Sequence, residues 1–392
     1  MKIRPIPDNI KQPVTYICAQ KVLLMKKIMF AGVALIGLLM SVSAFKPKAI
    51  TSKPKAFYSD TILFPGEKHF KNIQQLTFGG DNAEAYFSYD NKWIIFQRTN
   101  PKEGIMCDEM FIGKVPAMGE QFKYKRVSTG KGRTTCGFFT KDGKHIIYAS
   151  THLGADTCPP VPDRKKYGNK YIWPLFDSYD IFMADLNGKI VKQLTNSKGY
   201  DAEATLSPDG NKMIYTSDKD GDIDLYIMDL KTGKEKRITN TLGYDGGAWF
   251  SPDGKKIIWR ASRPTTVEDV KEYKDFLAEN LVAPTNMEVF VANADGSNVK
   301  QVTNFGNANW APSFMPDSKR IIFASNHQSK RGYPFNLFII NEDGSNLEKV
   351  TAEKIFDAFA MFSPNGKKLI FCSNRNNGGT HDTNIFIADW VE

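Results

Sequence analysis

The sequence predicts an all-β fold, a six-bladed β-propeller closed by an N-terminal strand and carrying one helical insertion. Three observations predict it. A hairpin block centred on Pro-Asp-Gly recurs along the chain. Each copy is followed by two further strand-like runs. The last copy lacks its fourth strand, and a run with the sequence of such a strand precedes the first copy.

The block is clearest at Leu206-Ser207-Pro208-Asp209-Gly210, followed by the β-rich run Lys212-Met213-Ile214-Tyr215. It returns at Phe250–Trp259 and Phe362–Phe371, more loosely at Phe314–Ser318 and Phe139–Gly143, and in its most worn form at Phe87–Asn91. Pro-Asp-Gly makes a turn because Pro presets φ and Gly accepts φ > 0, so each block reads as a hairpin. Third strands are expected at Glu109–Val115, Asp180–Leu186, Asp224–Leu230, Glu288–Asn293, Asn336–Asn341 and Asn384–Val391. Fourth strands are expected at Tyr124–Ser128, Val191–Thr195, Lys236–Thr239, Lys300–Thr303 and Glu348–Thr351. Ile73–Thr77 should supply the sixth. Four antiparallel strands every ~53 residues are the pattern of propeller blades, and ring closure leaves no exposed sheet edge. One domain is therefore expected over residues 58–392.

The Ser-Pro-Asp-Gly-Lys hairpins and the Leu-Thr-Asn strand ends resemble the WD-like propeller repeats of the TolB family of periplasmic proteins. The resemblance spans about 320 residues and concerns residues that build turns, so it implies fold more than chemistry. Members named for the family carry an α/β domain before the propeller. Residues 45–72 are too short for one, so a TolB-like propeller without that domain is expected.

Ahead of the propeller, Met25-Lys26-Lys27 opens an uncharged run, Ile28–Met40, followed by Ser41-Val42-Ser43-Ala44. A basic start, a short apolar core and small residues at the cleavage positions are the pattern of a secretory signal. Translation is expected to start at Met25, residues 1–44 to be removed, and 45–57 to be a flexible leader. The chain carries a formal charge of +9, but Lys2, Arg4, Lys11, Lys21, Lys26, Lys27 and Asp8 all lie in the removed segment. The basicity is therefore a mark of export rather than of nucleic-acid binding. No Cys follows the cleavage site, so a lipid anchor is not expected, and the apolar run is too short for a stable transmembrane helix. A periplasmic monomer is expected, with secretion or outer-membrane association as alternatives. An oxidising compartment permits disulfides. One is expected among Cys107, Cys136 and Cys158, pairing open, with Cys372 a core thiol.

Strand order assigns the two faces of the ring. The Pro-Asp-Gly turns share one face with the third-to-fourth turns. The long connections fall on the other, at Arg98–Asp108, Thr151–Tyr179, Arg263–Met287 and Asn326–Phe335. Long loops on a rigid scaffold are where binding resides. The third of these holds a helix capped by Thr266, with Val267, Val270, Lys274, Leu277 and Leu281 on one stripe and Pro284 at its end, folded down as a cap on the propeller. Near the axis, the loops into the inner strands contribute Asp201, Glu203, Asp245, Asn309, Trp310 and Asp357. The ends of the second strands carry His152, Lys219, Arg263, His327 and Arg375. An acidic set inside a basic set suits a peptide, a chain terminus or a polar small ligand. The candidate binding residues are thus His152, Asp201, Glu203, Asp245, Arg263, Asn309, Trp310, His327, Asp357 and Arg375.

Catalytic signatures are absent: no Gly-x-Ser-x-Gly elbow, phosphate loop or His-Glu-x-x-His. His152 and His327 occupy matching places on opposite blades, too far apart to share a transition metal. Asp218–Asp224 is dense in acids, but its Gly is misplaced for a Ca²⁺ loop, and a hairpin is expected instead. No cofactor is expected. The expected function is a scaffold binding a protein or peptide of the bacterial envelope. The alternatives are a metal-assisted lyase or hydrolase acting on polysaccharide or peptide at the propeller mouth, and a structural part of an envelope complex docked through the helix.

Overall fold

The computed structural model describes residues 62–330 and 332–392. The expected signal segment and leader, residues 1–57, lie outside them. The described chain forms six four-stranded antiparallel sheets and one two-stranded ribbon. Blade 1 comprises Asp81–Phe87, Trp93–Asn100, Ile105–Lys114 and Tyr124–Arg126. Blade 2 comprises Thr134–Phe139, His145–Ser150, Asp180–Asp185 and Ile190–Gln193. Blade 3 is Asp201–Leu206, Lys212–Ser217, Asp224–Asp229 and Glu235–Arg237; blade 4 is Asp245–Phe250, Lys256–Ala261, Glu288–Asn293 and Lys300–Gln301. Blade 5 is Asn309–Phe314, Arg320–Ser325, Asn336–Asn341 and Glu348–Lys349. Blade 6 takes Asp357–Phe362, Lys368–Ser373 and Asn384–Trp390, and its outer strand is Phe70–Gln75, paired antiparallel with Asn384–Trp390.

The repeated residues have repeated jobs. In blade 3 the Ser207 hydroxyl donates to Asp209 (2.5 Å), Asp209 accepts the Asn211 N–H (3.1 Å), and the Lys212 N–H donates to Ser207 (2.9 Å). Ser251 with Asp253 and Ser363 with Asn365 repeat the same closed turn. Gly210 completes it at φ 78°, where a side chain would be strained. A second device ends each blade. The hydroxyl of Thr195, Thr239, Thr303 or Thr351 accepts the N–H of Ile181, Leu225, Val289 or Leu337 at 2.8–3.0 Å. Ser128 serves Met110 in blade 1. In blade 6 the acceptor is Thr77, bonded to the Ile385 N–H (2.9 Å), so the N-terminal segment supplies this staple too. Blades pack through apolar faces; Ile214, Leu225, Ala248, Trp259 and Phe290 form one such cluster between blades 3 and 4. Burying each large apolar side chain is worth about 1.5–3 kcal/mol.

Two expectations are corrected. Arg98–Asp108 is not a loop insertion: strands two and three of blade 1 run on to pair Asn100 with Ile105, leaving one short turn, Pro101–Glu103. The helix, α1, spans Val267–Ala278 with Thr266 accepting the Asp269 N–H, as the sequence indicates, but it ends well before Pro284. Its buried face also differs. Tyr273 and Phe276 are buried, while Val267 is 81% exposed and Lys274 points to solvent. The Tyr273 hydroxyl donates to Asp222 and Phe276 packs on Ile172 and Leu281, a rotation that a stripe counted from aliphatic residues alone cannot reveal.

The insertions of blades 2 and 4 meet over blade 3. Trp173–Pro174 pairs with Leu281–Val282 as an antiparallel ribbon. Cys107 and Cys158 form a disulfide that ties the third strand of blade 1 to the blade 2 insertion; Cys136 and Cys372 are free. No helix among the described residues is long and apolar enough to cross a membrane.

Candidate functional site

Each inner strand contains a bulge. Pairing with the second strand slips between Ala83 and Tyr86, Thr135 and Phe138, Ala202 and Thr205, Gly246 and Trp249, Trp310 and Ser313, and Ala358 and Met361. Within each slip one residue sits at left-handed φ: Glu84, Cys136, Glu203, Gly247, Ala311 and Phe359, with φ between 46° and 62°. Bulges re-aim side chains. Four of these residues, Glu84, Cys136, Glu203 and Phe359, line a cavity of about 940 Å³ on the propeller axis. That volume is at the upper end of the 300–1,000 Å³ usual for ligand sites.

The cavity opens on the inserted-loop face. Its upper wall is aromatic and comes from the long connections: Tyr171, Trp173 and Phe176 from blade 2, Tyr333 and Phe335 from blade 5. Trp310 joins them, stacked on Phe335 (4.5 Å between ring centroids), tilted against Trp173 (5.5 Å), and donating from Nε1 to the Pro284 carbonyl (2.9 Å). Below this wall lies a polar network. Glu203 Oε2 accepts from the Tyr244 hydroxyl (2.7 Å), the Thr216 hydroxyl (2.8 Å) and the Gly247 N–H (3.0 Å). Its other oxygen pairs with Arg260, whose guanidinium lies over the Trp173 and Tyr244 rings. Arg260 occupies the space that Gly247 leaves; a Cβ at residue 247 would collide with it.

Glu84 lies across the same cavity. It accepts from the Tyr86 hydroxyl (3.4 Å) and from the Cys136 thiol. Burial pushes its carboxyl up to about 7; the thiol hydrogen bond and Arg260 oppose the rise, and the Glu203 charge adds to it. Burial, then the Glu84 and Glu203 charges, push the Cys136 thiol far above its ordinary value, so it is a protonated donor and not a nucleophile. At the rim Asp108 pairs with Arg133 (2.6 Å).

Of the ten residues that the sequence singles out, Glu203 and Trp310 line this cavity. The other eight do not line it and are bonded to neighbouring strands and loops, Asn309 across from blade 5 to blade 4. Asp245 takes Arg263 (2.6 Å) and the Trp259 indole (2.6 Å), and burial holds its carboxyl up at about 7 against those two partners. Asp357 meets Arg375 (3.1 Å), which also forms two bonds to Glu67 (3.0 and 3.1 Å). Asn309 bonds Met287, Glu288 and Ser325, and Asp201 bonds Ser197. His152 and His327 bond Ser150 (2.9 Å) and Ser325 (2.8 Å) and lie on Phe182 and Phe338. Burial keeps both imidazoles below their usual pKa, with Lys131 and Lys349 adding to the effect. The acids and bases that looked complementary across one face are thus largely paired within blades. In Asp218–Asp224 each aspartate has a partner: Tyr200 N–H, the Tyr226 hydroxyl, the Tyr273 hydroxyl, and Thr239 with Arg237. No group of three or more His, Cys, Asp or Glu among the described residues is placed to hold a metal ion.

Glu84, Arg260, Tyr244 and Tyr171 escaped the sequence reading. A signal for Glu84 was present: it stands three residues before Phe87, as Glu203 stands three before Leu206.

A family model described as the TolB beta propeller domain matches residues 175–274 and 277–386, more than half of the chain. The chain belongs to the TolB beta-propeller domain family. Among solved structures it is similar to the putative TolB of Agrobacterium tumefaciens, with 18% identity, a TM-score of 0.53, and coverage of 80% of this chain and 91% of that one. It is also similar to TolB of Acinetobacter baumannii (20% identity, TM-score 0.47, 79% and 63% covered). A third is the oligogalacturonate lyase of Vibrio parahaemolyticus (15% identity, TM-score 0.45, 81% and 93% covered). No curated protein matches the chain. At these identities the likeness to the Agrobacterium protein speaks for the fold.

Proposed function

We propose that this TolB-like propeller is an exported binding module that captures a peptide segment of a cell-envelope protein in its central cavity. The observation that carries the reading is the cavity of about 940 Å³, walled by Trp173, Trp310, Tyr171 and Phe335 and opening among the inserted loops. Aromatic rings provide large, rigid contact area at little entropic cost, which is why they dominate peptide-recognition surfaces. Export is supported by the Met25–Ala44 pattern and by the Cys107–Cys158 disulfide, which suits an oxidising compartment.

Site-specific photocrosslinking in intact cells tests it. A photoreactive side chain replaces Tyr171 or Tyr333, both exposed at the mouth, or, as controls, Val191, exposed on the outer strand of blade 2, or Val299, exposed just before that of blade 4. A defined protein adduct is expected from the two mouth positions and not from the controls. Equal adducts from all four, or none from the mouth, would sink the reading.

A further inference from the structure

The acids of the cavity are not all charge-balanced. At the rim Asp108 has Arg133 and the exposed Asp81 forms no ion pair among the described residues; below the aromatic wall Glu203 has Arg260, but Glu84 forms none. Its partners are neutral donors, the Tyr86 hydroxyl and the Cys136 thiol. It is also held toward the axis by a left-handed backbone, φ 50°, that a glutamate adopts at a cost. Arg260 cannot turn to it freely. Its guanidinium is fixed by Glu203, by the Tyr244 hydroxyl (2.9 Å) and by the Trp173 ring. A carboxylate in a half-closed, aromatic-walled space gains most from a cation delivered by the ligand, because a charge-assisted hydrogen bond is stronger there than in water. The same aromatic walls favour cations through their π faces.

We infer that the cavity recognises a ligand carrying a protonated amine, docked on the Glu84 carboxylate with its apolar part against Trp310 and Phe335. The inference rests on the cavity being the binding site and adds the chemistry of what enters it: a basic side chain or the amino terminus of a peptide. The groups that face Glu84 are Tyr86, Cys136, Glu203 and Arg260, with Asp108, Tyr179 and Cys372 also within its field; burial holds the Tyr179 hydroxyl and the Cys372 thiol protonated. Burial holds the Tyr86 hydroxyl and the Cys136 thiol protonated, and Arg260 stays charged, so the acid limb of amine binding is assigned to Glu84. With its carboxyl pushed up to about 7 by burial, that residue is mostly neutral at pH 5.5 and mostly ionised at pH 8.

Calorimetric titration of the purified chain tests it with three probes. Phenylalanine amide offers an α-amine that is only partly protonated at pH 8 and fully so at lower pH, Nα-acetyl-lysine amide a side-chain ammonium charged throughout, and Nα-acetyl-phenylalanine amide no charge. At pH 8 at least one cationic probe is expected to bind tenfold or more tighter than the neutral one. Which cationic probe binds separates a chain terminus from a basic side chain. Glu84→Gln is expected to erase the preference, and the wild-type preference is expected to fade toward pH 5.5. The pH series needs no variant and stands even if Glu84→Gln folds poorly. Unchanged cation preference in a folded Glu84→Gln protein, or equal binding of the charged and neutral probes to wild type, overturns the inference while leaving the cavity as a binding site. No binding by any probe overturns it too, and the photocrosslinks then decide separately whether the cavity binds at all.

Discussion

Replacing Arg375 by Ala should be the most damaging single charge removal in the propeller. The side chain is fully buried, as are its partners Glu67 and Asp357. It donates to both Glu67 oxygens (3.0 and 3.1 Å), to Asp357 (3.1 Å), to the Ile62 carbonyl (3.0 Å) and to Ser373 (3.1 Å). Removing it leaves two carboxylates out of water with no cation. Breaking a buried pair from one side costs about 3–5 kcal/mol, because the remaining charge keeps its desolvation penalty. For a domain of this size, near 2 °C per kcal/mol, that is a fall in Tm of about 6–10 °C. The equivalent residue of blade 4, Arg263, is a built-in comparison. It is 23% exposed and serves one acid, Asp245, whose carboxyl already sits near 7 and can take up a proton when its partner leaves. Arg263→Ala should cost about 1–2 kcal/mol. Thermal unfolding at neutral pH compares the two, and hydrogen exchange adds a local readout. Because Glu67 leads into the outer strand of blade 6, Phe70–Gln75 should lose protection in the Arg375 variant and keep it in the Arg263 variant. Equal losses of Tm would refute the argument that burial of both partners sets the cost.

Two further outcomes follow from the same geometry. Gly247→Ala should destabilise the protein by about 1–3 kcal/mol, since it adds the strain of positive φ to the expulsion of Arg260 from Glu203; quenching or a shift of Trp173 fluorescence should accompany the fall in Tm. Cys107→Ser with Cys158→Ser opens a loop with a sequence separation of 51, worth up to about 4 kcal/mol of unfolded-state entropy, so denaturant midpoints should drop while mild reductant no longer changes them.

The propeller was legible in the sequence because its recurring elements are local. Ser207, Asp209 and Gly210 close a turn using neighbours within five residues, and the block returns whenever the turn does. Thr77 was readable as the end of a displaced outer strand because its hydroxyl does for Ile385 what Thr239 does for Leu225. Local chemistry of this kind leaves a residue pattern wherever it occurs.

The cavity was not legible, for a physical reason visible at Asp201 and Glu203. Both stand at the entry to an inner strand, where regular alternation would keep residues two apart on one face. The bulge breaks that alternation. Asp201 stays in its blade against Ser197, whereas Glu203, at φ 56°, reaches Tyr244 and Arg260 of blade 4. The corresponding bulges of blades 1 and 2 bring Glu84 and Cys136 into contact. The number of blades, their turns and the displaced outer strand were readable because the turn chemistry that marks each blade involves neighbours along the chain. Tertiary structure alone decided which side chains meet on the axis, because that depends on backbone twists shared by six inner strands and on loops that fold together over them.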